Sequence, residues 1–365
     1  MEEINHADLL RAELRSMEWL IYAFSRSKDG GCPHSRNIFL PDAWAWKPSY
    51  AETTGYLIEN LLQFNPIFPE VQARIAHEAG NWLLNQQHSD GYYFSGLERT
   101  TPSVFNTAQI LTGLDVLYRY SGDERYRISL QRACTWMYNN IDRNGSWSQG
   151  LYVHGFYSAY YARALWPLQY VDIHYCESSH ASIMDKTLSR LMELSFPELT
   201  RSSGFFPGKS VYSHSLAYAL EGFFELSLIS GNDELMRLVL QNIYPISERV
   251  LAYHKLPGCY DPSGKPDDSF SCATGQAQMV SLLLKMSHGF PGQAFEESAM
   301  LLLNQLMSWQ IRSGLRGFSG GFTASKPFWG PYFPGRMVNW TNKFFLDACY
   351  QYKKFISSKK EMTNQ

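Results

Sequence analysis

Six glycine-containing loops recur along this 365-residue chain: "KDGGCPH" around Gly30, "HSDGYYF" around Gly91, "RNGSW" around Gly145, "SSGFF" around Gly204, "PGCYD" around Gly258 and "SGGF" around Gly320. The successive intervals are 61, 54, 59, 54 and 62 residues. A unit of that length accommodates two helices and two connections, and a unit that cannot bury its apolar face alone must stack on its neighbours. The period therefore predicts six helical hairpins.

The hydrophobic pattern assigns two kinds of helix to each unit. Amphipathic stretches precede the glycine loops, at 7–27, 71–87, 124–141, 181–197, 233–251 and 291–311. In the fourth of these Met184, Leu188, Leu191 and Leu194 recur at helical spacing while Asp185, Lys186 and Arg190 face elsewhere, the mark of a half-exposed helix. The stretches after the loops, 52–62, 106–121, 156–170, 214–230, 273–288 and 339–355, are apolar or aromatic on several faces, as in "LAYALEGFFELSL". Helices wet on neither side belong inside. Six alternating outer and inner helices close most simply as a ring, giving an all-α, (α/α)6 toroid as one domain over 1–356 with a polar tail at 357–365.

The connections locate the function. Inner-to-outer links are tight, as in "SGDE" and "SGND", whereas outer-to-inner links are long and hold clusters of Gly, Trp, Tyr, Asp and Pro. Long loops in a compact protein are usually functional. All six inner helices begin at the rim that carries them, so their free N–H groups and positive dipole ends converge on a central cavity suited to an anionic ligand. The first inner turns read "YAETTGY", "VFNTAQ", "FYSAYYAR", "YSHSLAY", "SCATGQAQ" and "NWTNKFF". They nominate Glu52, Asn106, Tyr157, Tyr161, Arg163, His214, Gln276, Asn339, Trp340 and Lys343, with Asp90, Trp147 and Trp329 added from the loops. Each has a plain structural role as its alternative. Asn106 and Asn339 stand where helix caps belong, and Glu52 complements a helix dipole. His214 at a buried helix start is expected to be neutral in either role. Glu221, two turns deeper than His214, is expected to be a buried acceptor bridging helices.

Composition excludes several functions. A net charge of −2 gives no basic surface for nucleic acid. The charged opening "MEEINHADLLRAELRSMEWLIYAF" reads as a helix and not a signal peptide, and no apolar run reaches the roughly 18 residues of a membrane span. A cytoplasmic protein with reduced thiols is expected, since six cysteines are scattered without CxxC spacing. Cys32 and His34 form a lone CxH, so no metal is assigned, and no P-loop or dinucleotide fingerprint points to a cofactor. The 55 aromatic residues suggest a cavity lined with rings.

Together "YAETTGYLIENLL", "VFNTAQILTGL", "HSLAYALEGFFEL", "CATGQAQMVSLLL" and "NWTNKFFLDA" resemble a bacterial family of α/α-toroid proteins. Its members are similar by fold to squalene cyclases and prenyltransferases, and are commonly encoded among genes for exopolysaccharide, capsule or O-antigen synthesis. The sequence departs from the family at Cys32, Pro33 and Trp329. The resemblance implies a carbohydrate ligand, an oligosaccharide or polysaccharide, and contact with polysaccharide-assembly proteins. By analogy with toroid polysaccharide lyases, Asn106 and Arg163 would neutralise a uronate carboxylate while Tyr161 or His214 moves the proton. By analogy with toroid glycosidases, Glu52 and Asp90 would be the two carboxyl groups such hydrolysis needs.

Three functional readings follow. The first is an enzyme of surface-polysaccharide biosynthesis or processing, acting on an acidic oligo- or polysaccharide as a lyase, epimerase or hydrolase. Its catalytic residues are His214, Tyr161, Arg163, Asn106 and Glu52. Asp90, Tyr157, Trp147, Gln276, Trp329, Asn339, Trp340 and Lys343 would bind substrate. The second is a non-catalytic glycan-binding or assembly component. The third is an enzyme of isoprenoid or lipid-linked substrates, disfavoured because "PDDSFS" does not supply the acidic DxDD box of a protonating cyclase.

Overall fold

Outer and inner helices alternate along the whole chain. The structure, a computed structural model, describes residues 4–64, 66–176, 180–290 and 294–363. Among them the outer helices are α1 (His6–Ser25), α3 (Pro69–Gln86), α5 (Glu124–Asn139), α7 (Ala181–Ser195), α9 (Asp233–Tyr253) and α11 (Phe295–Trp309). The inner ones are α2 (Ala51–Glu59), α4 (Val104–Ser121), α6 (Ala162–Tyr175), α8 (Ser213–Ser230), α10 (Ala273–Gly289) and α12 (Asn339–Thr363). Each inner helix packs on the next and α12 packs back on α2. Each outer helix lies on the inner helix that precedes it, with α1 on α12, so the ring closes as an (α/α)6 toroid.

Hydropathy set the layers as expected. Met184, Leu188 and Leu191 of α7 are buried while Leu194, expected on the same stripe, is exposed in the last turn, and α8 and α10 are buried on nearly all faces. Glycines let the inner helices approach closely: a Cβ on Gly113 would lie 2.0 Å from the Gly55 carbonyl oxygen, and one on Gly222 would lie 2.4 Å from the Ala162 backbone. Three boundaries differ from the sequence reading. The third inner helix begins late, with a 3-10 turn at Ala159–Tyr161 before α6. α2 runs on as a π-helix over Asn60–Phe64, where Asn60 Nδ2 donates to Asp347 Oδ1 on α12 at 2.7 Å. α12 stays helical through Thr363, past the point where a polar tail was expected. The expected start of the last outer helix, at 291, lies outside the described residues.

The long loops are stitched by short antiparallel strands. Loop one pairs with loop six, β1 (Ser35–Asn37) to β9 (Arg336–Val338). Loop four pairs with loop five, β4 (Val211–Tyr212) to β5 (Cys259–Tyr260) to β6 (Pro266–Asp267). Loop five pairs with loop six, β7 (Ser271–Cys272) to β8 (Ser325–Lys326), while β2 (Tyr93–Phe94) and β3 (Pro102–Ser103) close loop two on itself. Such pairing satisfies loop backbone groups that burial would otherwise strand. It gives the rim that carries the long loops a hydrogen-bonded border. Among the described residues no helix is long and apolar enough to cross a membrane.

The recurring glycines have a physical cause. Gly91 at φ +106° and Gly320 at φ +87° each pass against the next outer helix, where a Cβ would lie 2.3 Å from the Arg132 carbonyl oxygen and 2.0 Å from that of Arg15. Only glycine has both the left-handed freedom and the missing Cβ. Gly320 does this against α1 and so seals the ring. Gly320→Ala is expected to cost more than about 2 kcal/mol, read by urea unfolding; a loss within 0.5 kcal/mol, roughly that of an ordinary surface change, would show that the seam yields.

Candidate functional site

A cavity of about 380 Å³ opens at the rim where the inner helices start. Its walls are mostly rings: Tyr56 and Tyr218 rise from α2 and α8, and Phe105, Tyr160, Phe205, Tyr332, Phe333 and Trp340 come from helix starts and loops. Tyr152 and Phe206 form part of the wall and are exposed. This size and lining suit a small ligand with ring faces.

Glu52 is the one carboxyl in the lining among the described residues. It sits in the first turn of α2, and the Tyr50 hydroxyl donates to its Oε2 at 2.9 Å. Tyr50 in turn accepts from Asn106 Nδ2 at 3.1 Å, and that amide also donates to the Phe94 carbonyl at 2.8 Å. Asn106 is therefore not the cap of its helix: Ser103 accepts from the Asn106 amide, which frees the Asn106 side chain to fix Tyr50. Burial pushes the Glu52 carboxyl from 4.5 up to about 7, against the opposing hydrogen bond from Tyr50. Near neutrality it can hold or release a proton.

Two imidazoles also face the cavity. His214, in the first turn of α8, packs against Tyr218 at 4.4 Å and Tyr332 at 5.6 Å between ring centroids. Its Nδ1 meets Gln278 Oε1 at 2.6 Å; with the amide oxygen turned to it, Nδ1 carries the proton and Nε2 is an unprotonated acceptor. Burial lowers its pKa to about 4, helped by the Arg163 charge and opposed by the Gln278 bond. His34, from loop one, lies edge-on to Trp340 and Tyr50 with Nδ1 at 3.1 Å from Ser35 Oγ. Burial, then the charges of Arg336 and Lys47, lower it to about 4 as well. Both rings are neutral at physiological pH.

Of the residues nominated from sequence, the cavity brings together Glu52, Asn106, His214 and Trp340, whose indole N–H donates to the Tyr332 hydroxyl at 2.8 Å. The others lie elsewhere. Asp90 is exposed beside His88 and makes no carboxyl pair with Glu52. The 3-10 turn shifts the register of the third inner helix, so Tyr160 lines the cavity, while the Tyr161 hydroxyl accepts from the Tyr152 amide at 2.6 Å. Tyr157 and Trp147 pack beside Tyr161, the Trp147 indole donating to the Met137 carbonyl. Trp329 is 68% exposed, beyond the lining, against Phe328. Gln276 faces outward and donates to the Leu302 carbonyl on α11; Gln278, half a turn on, takes the inward place beside His214. Asn339 is a buried clasp, its Nδ2 donating to the Pro33 carbonyl at 2.9 Å and to Thr53 Oγ1 at 3.0 Å.

Arg163 and Lys343 lie below the cavity. Arg163 pairs with Glu221 at 2.7 Å, and Lys343 pairs with Glu59 at 3.0 Å and with Asp347. Tyr218 and Tyr56 separate this charged layer from the cavity, each carrying a cation against its ring, Arg163 at 5.7 Å and Lys343 at 5.5 Å. Sequence reasoning missed His34 as a cavity residue, and with it Tyr50, Tyr56, Tyr218 and Tyr332. The spacing of His214 and Tyr218, one helical turn apart on one face, is the signal that could have found Tyr218.

No protein-family model matches the sequence, and no curated protein matches it. Solved structures do share the fold. A heparin-specific unsaturated glucuronyl hydrolase superposes with a TM-score of 0.71 at 14% identity, over 97% of this chain and 99% of its own. An unsaturated glucuronyl hydrolase from Bacillus sp. GL1 gives 0.69 at 14%, over 94% and 97%. The cellobiose 2-epimerase of Spirochaeta thermophila gives 0.67 at 13%, over 97% and 100%. At these identities the likeness establishes the toroid fold.

Proposed function

We propose that the protein is a carbohydrate-processing enzyme that moves protons on a sugar ring, as an epimerase or lyase acting on an oligosaccharide. One observation carries the reading: Glu52, poised near neutral pH, stands in a ring-lined cavity with His214, a neutral imidazole whose Nε2 is free to accept a proton. Units one and four of a six-membered ring face each other, so the two groups approach a ligand from opposite sides. His214 takes a proton from a carbon beside a carbonyl or carboxyl group, and protonated Glu52 donates to the oxygen on which charge develops. In elimination the carbon–oxygen bond at the β position then breaks, the leaving oxygen takes the proton from His214 and Glu52 recovers its own; in epimerisation Glu52 recovers its proton as the carbon is reprotonated on its other face. Neutral tyrosines and Trp340 offer ring faces to the sugar. Hydrolysis by two carboxyl groups is disfavoured, because Asp90 does not join Glu52. Sugar-acting proteins among the fold neighbours support the ligand class, and the quoted motifs support a place in cytoplasmic steps of bacterial surface-polysaccharide biosynthesis.

The test is incubation with acidic oligosaccharides and reducing disaccharides in deuterated water. Deuterium at one ring carbon by NMR, or a new conjugated double bond by ultraviolet absorbance, is expected. The rate should be bell-shaped in pH, rising as His214 loses its proton near 4 and falling as Glu52 ionises near 7. His214→Ala should lose at least about 100-fold in rate with the fold retained by circular dichroism. Tight glycan binding by calorimetry without exchange or product would replace this reading with a binding protein.

A further inference from the structure

The rim opposite the cavity carries a second cluster of chemistry-bearing side chains. Cys134 on α5 and Cys176, immediately after α6, are 42 residues apart in sequence, yet their Sγ atoms lie 3.3 Å apart. Asp172 stands one turn before Cys176 on the same face of α6, and the two sulfurs and an Asp172 carboxylate oxygen all lie within 4.8 Å of one another. His180 holds that carboxylate from the far side, its Nδ1 2.7 Å from Oδ1 and its amide 3.2 Å from Oδ2. On α5, Tyr138 stacks on the His180 ring at 3.9 Å. None of these residues touches the catalytic cavity.

We propose that Cys134, Cys176 and Asp172 form a zinc-binding site that clasps outer helix α5 to the C-terminal end of inner helix α6. Two sulfurs and one carboxylate match the preference of zinc for thiolate with borderline N or O ligands. Ligand atoms around a tetrahedral zinc lie roughly 3.5–4 Å apart at its usual bond lengths, so adjustments of up to about 1.3 Å complete the site. The C-terminal end of α6 contributes the negative pole of its dipole, which favours a cation. His180 orients the Asp172 carboxylate, as an outer hydrogen-bond partner does in metal sites. Half-buried Cys176 leaves the fourth position open to water. Binding releases the two thiol protons to solvent. Sequence spacing assigned no metal because each helix supplies only part of the ligand set.

Full-length protein, kept reduced and stripped of metal, is titrated with cobalt(II) chloride. Thiolate-to-metal charge-transfer absorption should saturate at one equivalent, be bleached by one equivalent of zinc chloride, and accompany a rise in melting temperature. Cys176→Ser and Asp172→Asn should each weaken cobalt binding at least tenfold, and His180→Ala by about 10- to 100-fold. Cys176 is only half-buried, so its variant tests the site without emptying a core position. The proposal is overturned if the reduced wild type shows no charge-transfer band, or if the band survives in Cys176→Ser. A Cys134–Cys176 disulfide by mass spectrometry, with no cobalt bound after reduction, also overturns it.

Discussion

Glu52→Gln is expected to lower kcat by at least about 100-fold, the lower range for loss of a general acid, while circular dichroism stays unchanged. The amide is nearly isosteric and its oxygen can still accept from Tyr50, so the Asn106–Tyr50 arrangement is retained. What disappears is the transferable proton. The same substitution should stabilise the protein in alkali. The folded carboxyl titrates at about 7 against 4.5 when unfolded, so the folded state binds the extra proton between those values. Its contribution is fully present below pH 4.5 and is lost as pH rises through 7. Above pH 7 wild-type protein carries an ionised, largely desolvated carboxylate that the variant lacks, a difference of up to about 3 kcal/mol. Urea unfolding at pH 5 and pH 9 measures it. Retained turnover would make Glu52 a structural carboxyl; lost turnover without a stability gain in alkali would mean that the group is well solvated.

A site that destabilises its own fold is where sequence and structure part most clearly. The toroid was legible because its causes are periodic: glycines at the seams, amphipathic outer helices and uniformly apolar inner ones each repeat six times. Glu52, Asn106, His214 and Trp340 were legible for the same reason, since helix starts must converge on the axis of a closed ring. Tyr161 and Gln276 failed through rotation. A single 3-10 turn exchanges Tyr161 for Tyr160, and Gln276 differs from Gln278 only in which side of α10 it occupies. Arg163 and Lys343 failed through depth, because proximity to a helix start says nothing of how far that helix has slid along the axis. His34 and Tyr332 come from loops whose course is set by pairing between loops one, five and six, a long-range constraint that no local pattern carries.

The charged layer beneath the cavity carries the other large effect. Glu221 forms an ion pair with Arg163 at 2.7 Å and accepts from Lys285 at 3.0 Å, and Lys285 also reaches Glu225 at 2.7 Å, so one buried carboxylate joins α6, α8 and α10. Removal of a plain buried acceptor, as expected from sequence, costs roughly 1 to 3 kcal/mol through unpaired donors. Buried ion pairing raises the expectation: Glu221→Ala leaves Arg163 without its carboxylate and Lys285 with Glu225 alone, and should cost about 3 to 5 kcal/mol. Burial alone would raise the Glu221 carboxyl, but Arg163, Lys285 and Lys343 together hold it at about 2. A depressed acid stabilises the fold above its unfolded value of 4.5, and that contribution fades as pH falls through 2. The gap between wild type and Glu221→Ala should therefore be widest above pH 4.5 and narrow steadily in acid. Replacing both Arg163 and Glu221 with Leu should cost less than Glu221→Ala alone, because no isolated charge of that pair remains. Urea unfolding of the three proteins between pH 3 and pH 7 tests this. A loss under 1 kcal/mol for Glu221→Ala, below even the range for an unpaired buried polar group, would mean that water reaches this layer and that the tyrosine floor does not seal it.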